Sequence, residues 1–279
     1  MVLDVHCHIV PPEIARDPAA FGQRDLHFDQ MRSTKGVRFL TGEDLLRDMA
    51  SDGVDKAVAC GFSFKDLGVS RLQNDYALSV AKMSGGSVVA LAVLDPESPG
   101  AMAEAERCLA AGACGFGELF PAGHGFSLEG EGMSRLAALA QEAGVPLLIH
   151  VNEQIGHQYP GKGHVGAEEA YRFSARNPGV TSIFAHLGGG LPFYASMPEV
   201  LALENTYYDT AAQPYLFKPE VYRSLSALGI SGKILLGSDY PLVSCARYIK
   251  DIGKAGLRPY EVQGILSENA LGIFGKFFT

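Results

Sequence analysis

Eight short apolar runs, each followed by a stretch of helical periodicity, recur along the chain. They are VLDVH (2–6), KAVACG (56–61), VVALAVL (88–94), CGFGEL (114–119), LLIH (147–150), TSIFAH (181–186), TYYDT (206–210) and KILLGSD (233–239). Several are continuous rather than alternating, the pattern of parallel strands covered on both faces. Eight strand–helix units predict the α/β class and a single (β/α)8 barrel of the TIM type rather than an open doubly wound sheet. A length of 279 residues suits one such domain spanning 1–279. The tail PYEVQGILSENALGIFG is predicted as closing C-terminal helices.

The helices carry readable ends and stripes. Thr41 is placed to cap TGEDLLRDMA, with Asp44 three residues on and Gly53 as the stop. Leu45, Leu46 and Met49 give that helix an apolar stripe, and Leu72, Tyr76, Val80 and Met83 do the same for the next. Helix-compatible segments follow near 167–176, 191–203, 219–228 and 243–254. The connection 9–40 is too long for a plain turn, and loops of that length are usually functional or disordered.

Composition excludes several function classes. Net charge is −8 and no dense Lys/Arg run exists, so nucleic acid and anionic membranes are not expected partners. No apolar run reaches the roughly 18 residues that cross a bilayer, and no basic-then-apolar leader opens the chain. Five scattered cysteines without a CxxC pair read as reduced, buried thiols of a cytoplasmic protein. Gly188-Gly189-Gly190 lacks the Lys-Ser/Thr of a phosphate loop, and neither GxGxxG after the first strand nor a GxSxG elbow is present.

Chemistry-bearing residues fall at the C-terminal ends of the predicted strands. His6 and His8 end the first, Glu118 the fourth, His150 the fifth, His186 the sixth and Asp239 the eighth. In a (β/α)8 barrel these ends ring one mouth, where active sites are built. His6 and His8, two apart, project to one side of the strand and Cys7 to the other. Any one alone reads as a satisfied core histidine, a mouth ion pair or a turn carboxylate. Together they would be costly to bury without a cation. Imidazole and carboxylate donors suit a divalent metal, zinc first. Six donors exceed one tetrahedral ion with an open position and suit two ions sharing a carboxylate, so one or two ions per chain are expected.

At these residues the chain resembles the amidohydrolase superfamily, in particular its amidohydrolase-related metal-dependent TIM-barrel hydrolases. The likeness runs through DVHCH, GFGELFP, IHVNE, AHLGGG, YYDTAA, LLGSDYP and SENALGIFG. It implies His6, His8, His150, His186 and Asp239 as metal ligands, and Asp239 as proton shuttle. The strand-four lysine of many members is missing. Glu118 fills that slot, as in deoxyribonucleases of the TatD type. The chain is also similar to mononuclear decarboxylases of the aminocarboxymuconate-semialdehyde type, which keep HxH, the two later histidines and the aspartate.

The expectation is therefore a metal-dependent hydrolase of an amide, lactone or other ester in a small molecule, with Asp239 and His186 catalytic. The alternatives are a non-oxidative decarboxylase and a TatD-like phosphoesterase. Segment 152–166, with His157, Tyr159, Lys162 and His164, is predicted as a substrate-facing lid that His124 joins, Lys162 favouring an anionic group. A solvated loop is the other reading. Homo-oligomerisation is left open.

Overall fold

Eight parallel strands form where the apolar runs lie: β1 (Leu3–His8), β2 (Lys56–Cys60), β3 (Val88–Ala90), β4 (Phe116–Leu119), β5 (Leu147–Ile149), β6 (Ser182–Phe184), β7 (Thr206–Asp209) and β8 (Ile234–Leu235). The structure, a computed structural model, describes residues 1–34, 36–159 and 162–278. Regular pairing gives two runs, β1-β2-β3 and β4-β5-β6-β7-β8. Backbone hydrogen bonds join them at both edges. Ala92 N–H donates to Gly115 O at 3.0 Å and Gly117 N–H to Ala92 O at 2.9 Å. Val5 N–H donates to Leu236 O at 2.8 Å and His8 N–H to Tyr240 O at 2.7 Å. The predicted ring of eight strands is thereby closed.

Side-chain alternation splits the core in two. Leu3, Val5, Val58, Val89, Leu91, Leu148, Ile183 and Leu235 form one cluster with Ala270 and Phe274, so the last helix (Asn269–Phe274) packs against the strand interior. Alternate strand residues pack outward on helix residues such as Leu45, Met49, Leu136 and Phe173. The register of β1 shifts between Asp4 and Cys7. Leu3 and Val5 belong to the inner cluster while Cys7 and Ile9 join the outer one. The bulge therefore resets the alternation that Leu3 and Val5 begin.

Local expectations hold where the signal is local. Thr41 and Asp44 form the capping box of helix Gly42–Asp52, and Gly53 ends it at φ 76°. The stripe of helix Leu67–Met83 differs. Val69, Gln73, Ala77 and Val80 face inward, whereas Leu72 and Met83 are exposed. The helix is turned because Gln73 and Asn74 are buried for their amides: Gln73 binds Phe62 N–H and C=O, and Asn74 binds Val93 N–H and C=O. Segment 191–203 breaks into a 3-10 turn (Leu191–Tyr194) and a helical turn (Pro198–Leu201). All five cysteines are free and buried. Among the described residues no helix is long and apolar enough to cross a membrane.

The connection 9–40 contains three short helices, α1 (Pro12–Arg16), α2 (Pro18–Gly22) and α3 (Leu26–Arg32). A separate apolar cluster of Val10, Ile14, Phe28, Phe64 and Val69 fixes them, with Phe39 and Phe62 at its edge. Asp25 caps α3 through His27 and Phe28 N–H, both at 3.0 Å, and accepts Lys65 N–H at 3.2 Å. The segment is thus tied across the barrel mouth to the loop after β2.

Candidate active site

All six sequence-derived donors meet at the C-terminal mouth. His6 Nε2 and His8 Nε2 lie 3.1 Å apart. Asp239 Oδ1 is 3.8 Å from the first and 3.6 Å from the second. Glu118 Oε1 stands 2.8 Å from His150 Nδ1, 3.6 Å from His6 Nε2 and 3.8 Å from His186 Nε2, and its Oε2 is 3.4 Å from His8 Nε2. His186 Nε2 is 3.2 Å from His150 Nδ1. Two triads result, His6–His8–Asp239 and Glu118–His150–His186, with Glu118 between them.

Strand ends place only part of this set. His8 ends β1 and Glu118 lies within β4, but His150 follows β5 directly, His186 is two residues past β6, and Asp239 is four past β8. His186 and Asp239 sit in left-handed backbone at φ 56° and 59°, so turns aim them inward. Ser238 N–H donates to buried Asp4 at 2.9 Å, which pins the Asp239 turn to β1. A Cβ at Gly237 would lie 3.0 Å from both His6 Cβ and Asp209 Cβ, a close approach that glycine permits.

The other ring nitrogens decide what the cluster can hold. His8 Nδ1 faces Gly61 O at 3.1 Å, His186 Nδ1 faces Ala211 O at 3.0 Å, and His6 Nδ1 faces Asp209 Oδ2 at 2.8 Å. Each acceptor takes the Nδ1 proton, leaving Nε2 a bare lone pair. Two such nitrogens 3.1 Å apart need a proton or a cation between or beside them, and the donor set fits a divalent metal. Burial would depress His6, but Asp209 and Glu118 outweigh it and hold its pKa well above the imidazole range. Burial opposes ionisation of Glu118, and His150 and His6 overcome it, holding the carboxyl well below its usual range. Burial and His150 push His186 down. A cation therefore displaces a proton on binding. His150 Nε2 is buried without a protein partner.

Asp209, on β7, is the site residue that the sequence reading passed over. It is fully buried. Its Oδ2 accepts from His6, and its Oδ1 accepts His186 N–H at 3.1 Å and Ala211 N–H at 2.9 Å. The available signal was its place as the last residue of an apolar strand, like the ligands. Asn at this position would turn N–H2 toward one of these donors. Asp209→Asn is expected to weaken metal binding by about 10–100-fold. Competition with a chromophoric chelator measures this, and an unchanged affinity would remove Asp209 from the site.

A cavity of about 430 Å³ opens beside the cluster. Phe28 and Met31 of α3, Val37, Phe62, Phe120, Tyr159, Tyr215, Leu216 and Leu242 wall it, and His8, Glu118, His150, His186 and Asp239 form its polar end. Phe62 stacks on His8 with ring centroids 4.4 Å apart and planes at 9°. The proposed substrate-facing residues divide. His157 lines the cavity. Lys162 and His164 instead line a neighbouring polar depression with Gln30, Gln154 and Gln158. Lys162 is committed to Glu153 at 2.9 Å, so its charge is not offered to the cavity. His124 is buried behind the wall, 3.4 Å from Asp25 Oδ2. The long connection, rather than 152–166, supplies most of the cover.

The family model described as Amidohydrolase matches residues 3–276. No curated protein sequence matches the chain. Among solved structures, 5-carboxyvanillate decarboxylase from Sphingomonas paucimobilis superposes with TM-score 0.80 at 15% identity, covering 98% of each chain. A dihydroxybenzoic acid decarboxylase from a Polaromonas species, holding manganese and the inhibitor 2-nitroresorcinol, gives TM-score 0.73 at 17% identity, over 98% of this chain and 96% of that one. A probable 2-pyrone-4,6-dicarboxylic acid hydrolase from Acinetobacter baumannii with citric acid bound gives 0.66 at 13%, over 98% and 99%. At such identities the likeness establishes the fold.

Proposed function

The chain belongs to the amidohydrolase family, and from that premise we propose a metal-dependent enzyme that removes CO2 from an aromatic carboxylic acid without oxidation. The observation that carries this reading is the cavity: a ring-lined, largely apolar chamber with all its metal-binding groups at one end. An aromatic ring fits between such walls, and loss of carboxylate charge is favoured where water is excluded. The preference between the two enzyme classes thus moves from hydrolysis to decarboxylation, and the decarboxylases among the fold's relatives support the change.

When bound, a divalent cation held by His6, His8 and Asp239 supplies positive charge that anchors and neutralises the substrate's oxygens. Zinc and manganese both suit these donors. Phe62, Phe120 and Tyr159 confine the ring. Asp239, reached from the cavity, delivers a proton to the ring carbon that bears the carboxylate. The carbon–carbon bond then breaks, its electron pair returns to the ring, and CO2 leaves. The proton has replaced the carboxylate, and no oxidant is needed. His186, its proton given to Ala211 O, keeps a lone pair on the reaction side.

Arg38 is the one Lys or Arg among the described residues lining the chamber, held at its mouth by Pro241 O at 3.2 Å. A guanidinium there favours an anionic substrate. Arg38→Ala is expected to raise KM by about tenfold, the order of one hydrogen bond to a charged group, with a smaller change in kcat. A KM that does not move would take Arg38 out of binding.

The deciding experiment incubates manganese- or zinc-loaded protein with hydroxybenzoates in D2O. Stoichiometric CO2 and deuterium at the vacated ring carbon are expected. Turnover of lactones or amides with no CO2 from any ring acid would reverse the assignment. Hydrolysis stays as second reading for one reason: Glu118 lies between two triads, where a bridging carboxylate would stand.

A further inference from the structure

The described residues of the loop after β5, which exclude 160 and 161, form a bonded frame around one hydroxyl. Asn152 Nδ2 donates to Tyr159 Oη at 3.0 Å, and Tyr159 Oη donates to Glu153 Oε2 at 3.2 Å. Asn152 Oδ1 accepts Gly163 N–H at 2.8 Å, so its amide cannot turn over without loss. Glu153 is buried and tied to Lys162, whose Nζ also donates to His157 O at 3.0 Å. A Cβ at Gly163 would meet Ala122 Cβ at 2.4 Å, so the frame is also packed tightly on the segment after β4.

A phenolic oxygen has one proton and two lone pairs. Here the proton goes to Glu153 and one lone pair to Asn152. Among the described residues one lone pair is left, on a residue that lines the reaction chamber. Of the other chamber hydroxyls, Ser63 donates to Glu118 O and Thr34 to Gln30 O, while Tyr215 is exposed and held by no such frame. Burial and Glu153 push the Tyr159 phenol up to about 12, and the Asp239 carboxylate adds to the effect. Tyr159 thus stays a neutral phenol near the proton-handling carboxylate, an acceptor rather than a base.

The geometry points to Tyr159, fixed by Asn152 and Glu153, as a specificity-determining acceptor that reads an O–H or N–H donor on the substrate ring. This inference rests on the ring-carboxylate reading above and names the substituent that such a ring must carry. The Glu153 charge draws on the phenolic proton and strengthens the oxygen as an acceptor. A ring without a donor leaves that half-buried lone pair facing the ring unpaired, a loss by which a site discriminates between substrates.

The test is binding, not turnover. Manganese-loaded wild type and Tyr159→Phe are titrated calorimetrically with nitrobenzene and with 2-, 3- and 4-nitrophenol, the nitro group standing for the carboxylate. Wild type is expected to prefer one isomer over nitrobenzene by about tenfold, and Tyr159→Phe to lose about three- to tenfold of that preference, the order of one hydrogen bond. Glu153→Gln keeps the hydroxyl and removes the charge. It is expected to lose about two- to fivefold, and it carries the test if Tyr159→Phe fails to fold. An isomer preference that persists unchanged in the folded variants overturns the Tyr159 assignment alone. Failure of every ring probe to bind wild type overturns the ring-carboxylate reading and this assignment with it.

Discussion

Asp239→Asn is expected to keep the fold and part of the metal while turnover falls by about two to four orders of magnitude, the range for a lost proton-transfer group. The amide oxygen still coordinates weakly, but it carries no proton to the ring carbon. The turn that presents the residue is held by groups the substitution leaves alone: Asp4 on Ser238 N–H, His6 O on Tyr240 N–H at 3.2 Å, and Tyr240 O on His8 N–H. The side chain is 16% exposed, toward the chamber, so the change buries no new unpaired group. Turnover at saturating substrate, with metal content measured in the same sample, decides the matter. Near-normal turnover would mean that another group moves the proton.

The second large effect concerns Glu118 and the number of ions. His150 Nδ1 is 2.8 Å from Glu118 Oε1 and faces His186 Nε2 at 3.2 Å. If its proton is spent on Glu118, the bare nitrogen of His150 is Nε2, and the nitrogens that face one another in the second triad keep only one lone pair, that of His186. That is too few for a second dication, so one tightly held ion on His6, His8 and Asp239 is expected, not the two that the donor count alone suggests. Glu118→Gln removes the negative charge beside both His6 and His8. It should retain that single ion with affinity lowered by about 10–100-fold, the usual cost of losing a group that orients or charges the ligands. Metal analysis after reconstitution with excess manganese or zinc tests this. Two ions in wild type and one in Glu118→Gln would establish a bridging role for Glu118 and move the preference back to hydrolysis.

Much of this site was legible because its signals are local. The strands appear as apolar runs, and the candidate ligands stand where those runs end. HxH on the first strand, single histidines after the fifth and sixth, and aspartate after the eighth each depend on nothing but chain position and barrel topology. The cap at Thr41 and Asp44 is local as well. Lys162 shows the limit. A lysine among glycines after a ligand histidine looks free, yet it is paired with Glu153, nine residues earlier, across a loop whose path no periodicity encodes.

The sequence by itself determined the order of strands and helices and the chemical identity of the candidate metal donors, because periodicity and residue type are properties of short segments. The tertiary structure decided how those donors can be used. The register shift in β1 turns His6 and His8 inward against the alternation set by Leu3 and Val5. Asp209 reaches His6 across 203 residues of chain to fix its tautomer. The connection 9–40 folds its phenylalanines over the mouth because Phe62 and Phe64 offer them an apolar surface. Each of these depends on contacts between segments distant in the chain, where burial, lone-pair direction and charge pairing are set by neighbours that local pattern does not specify.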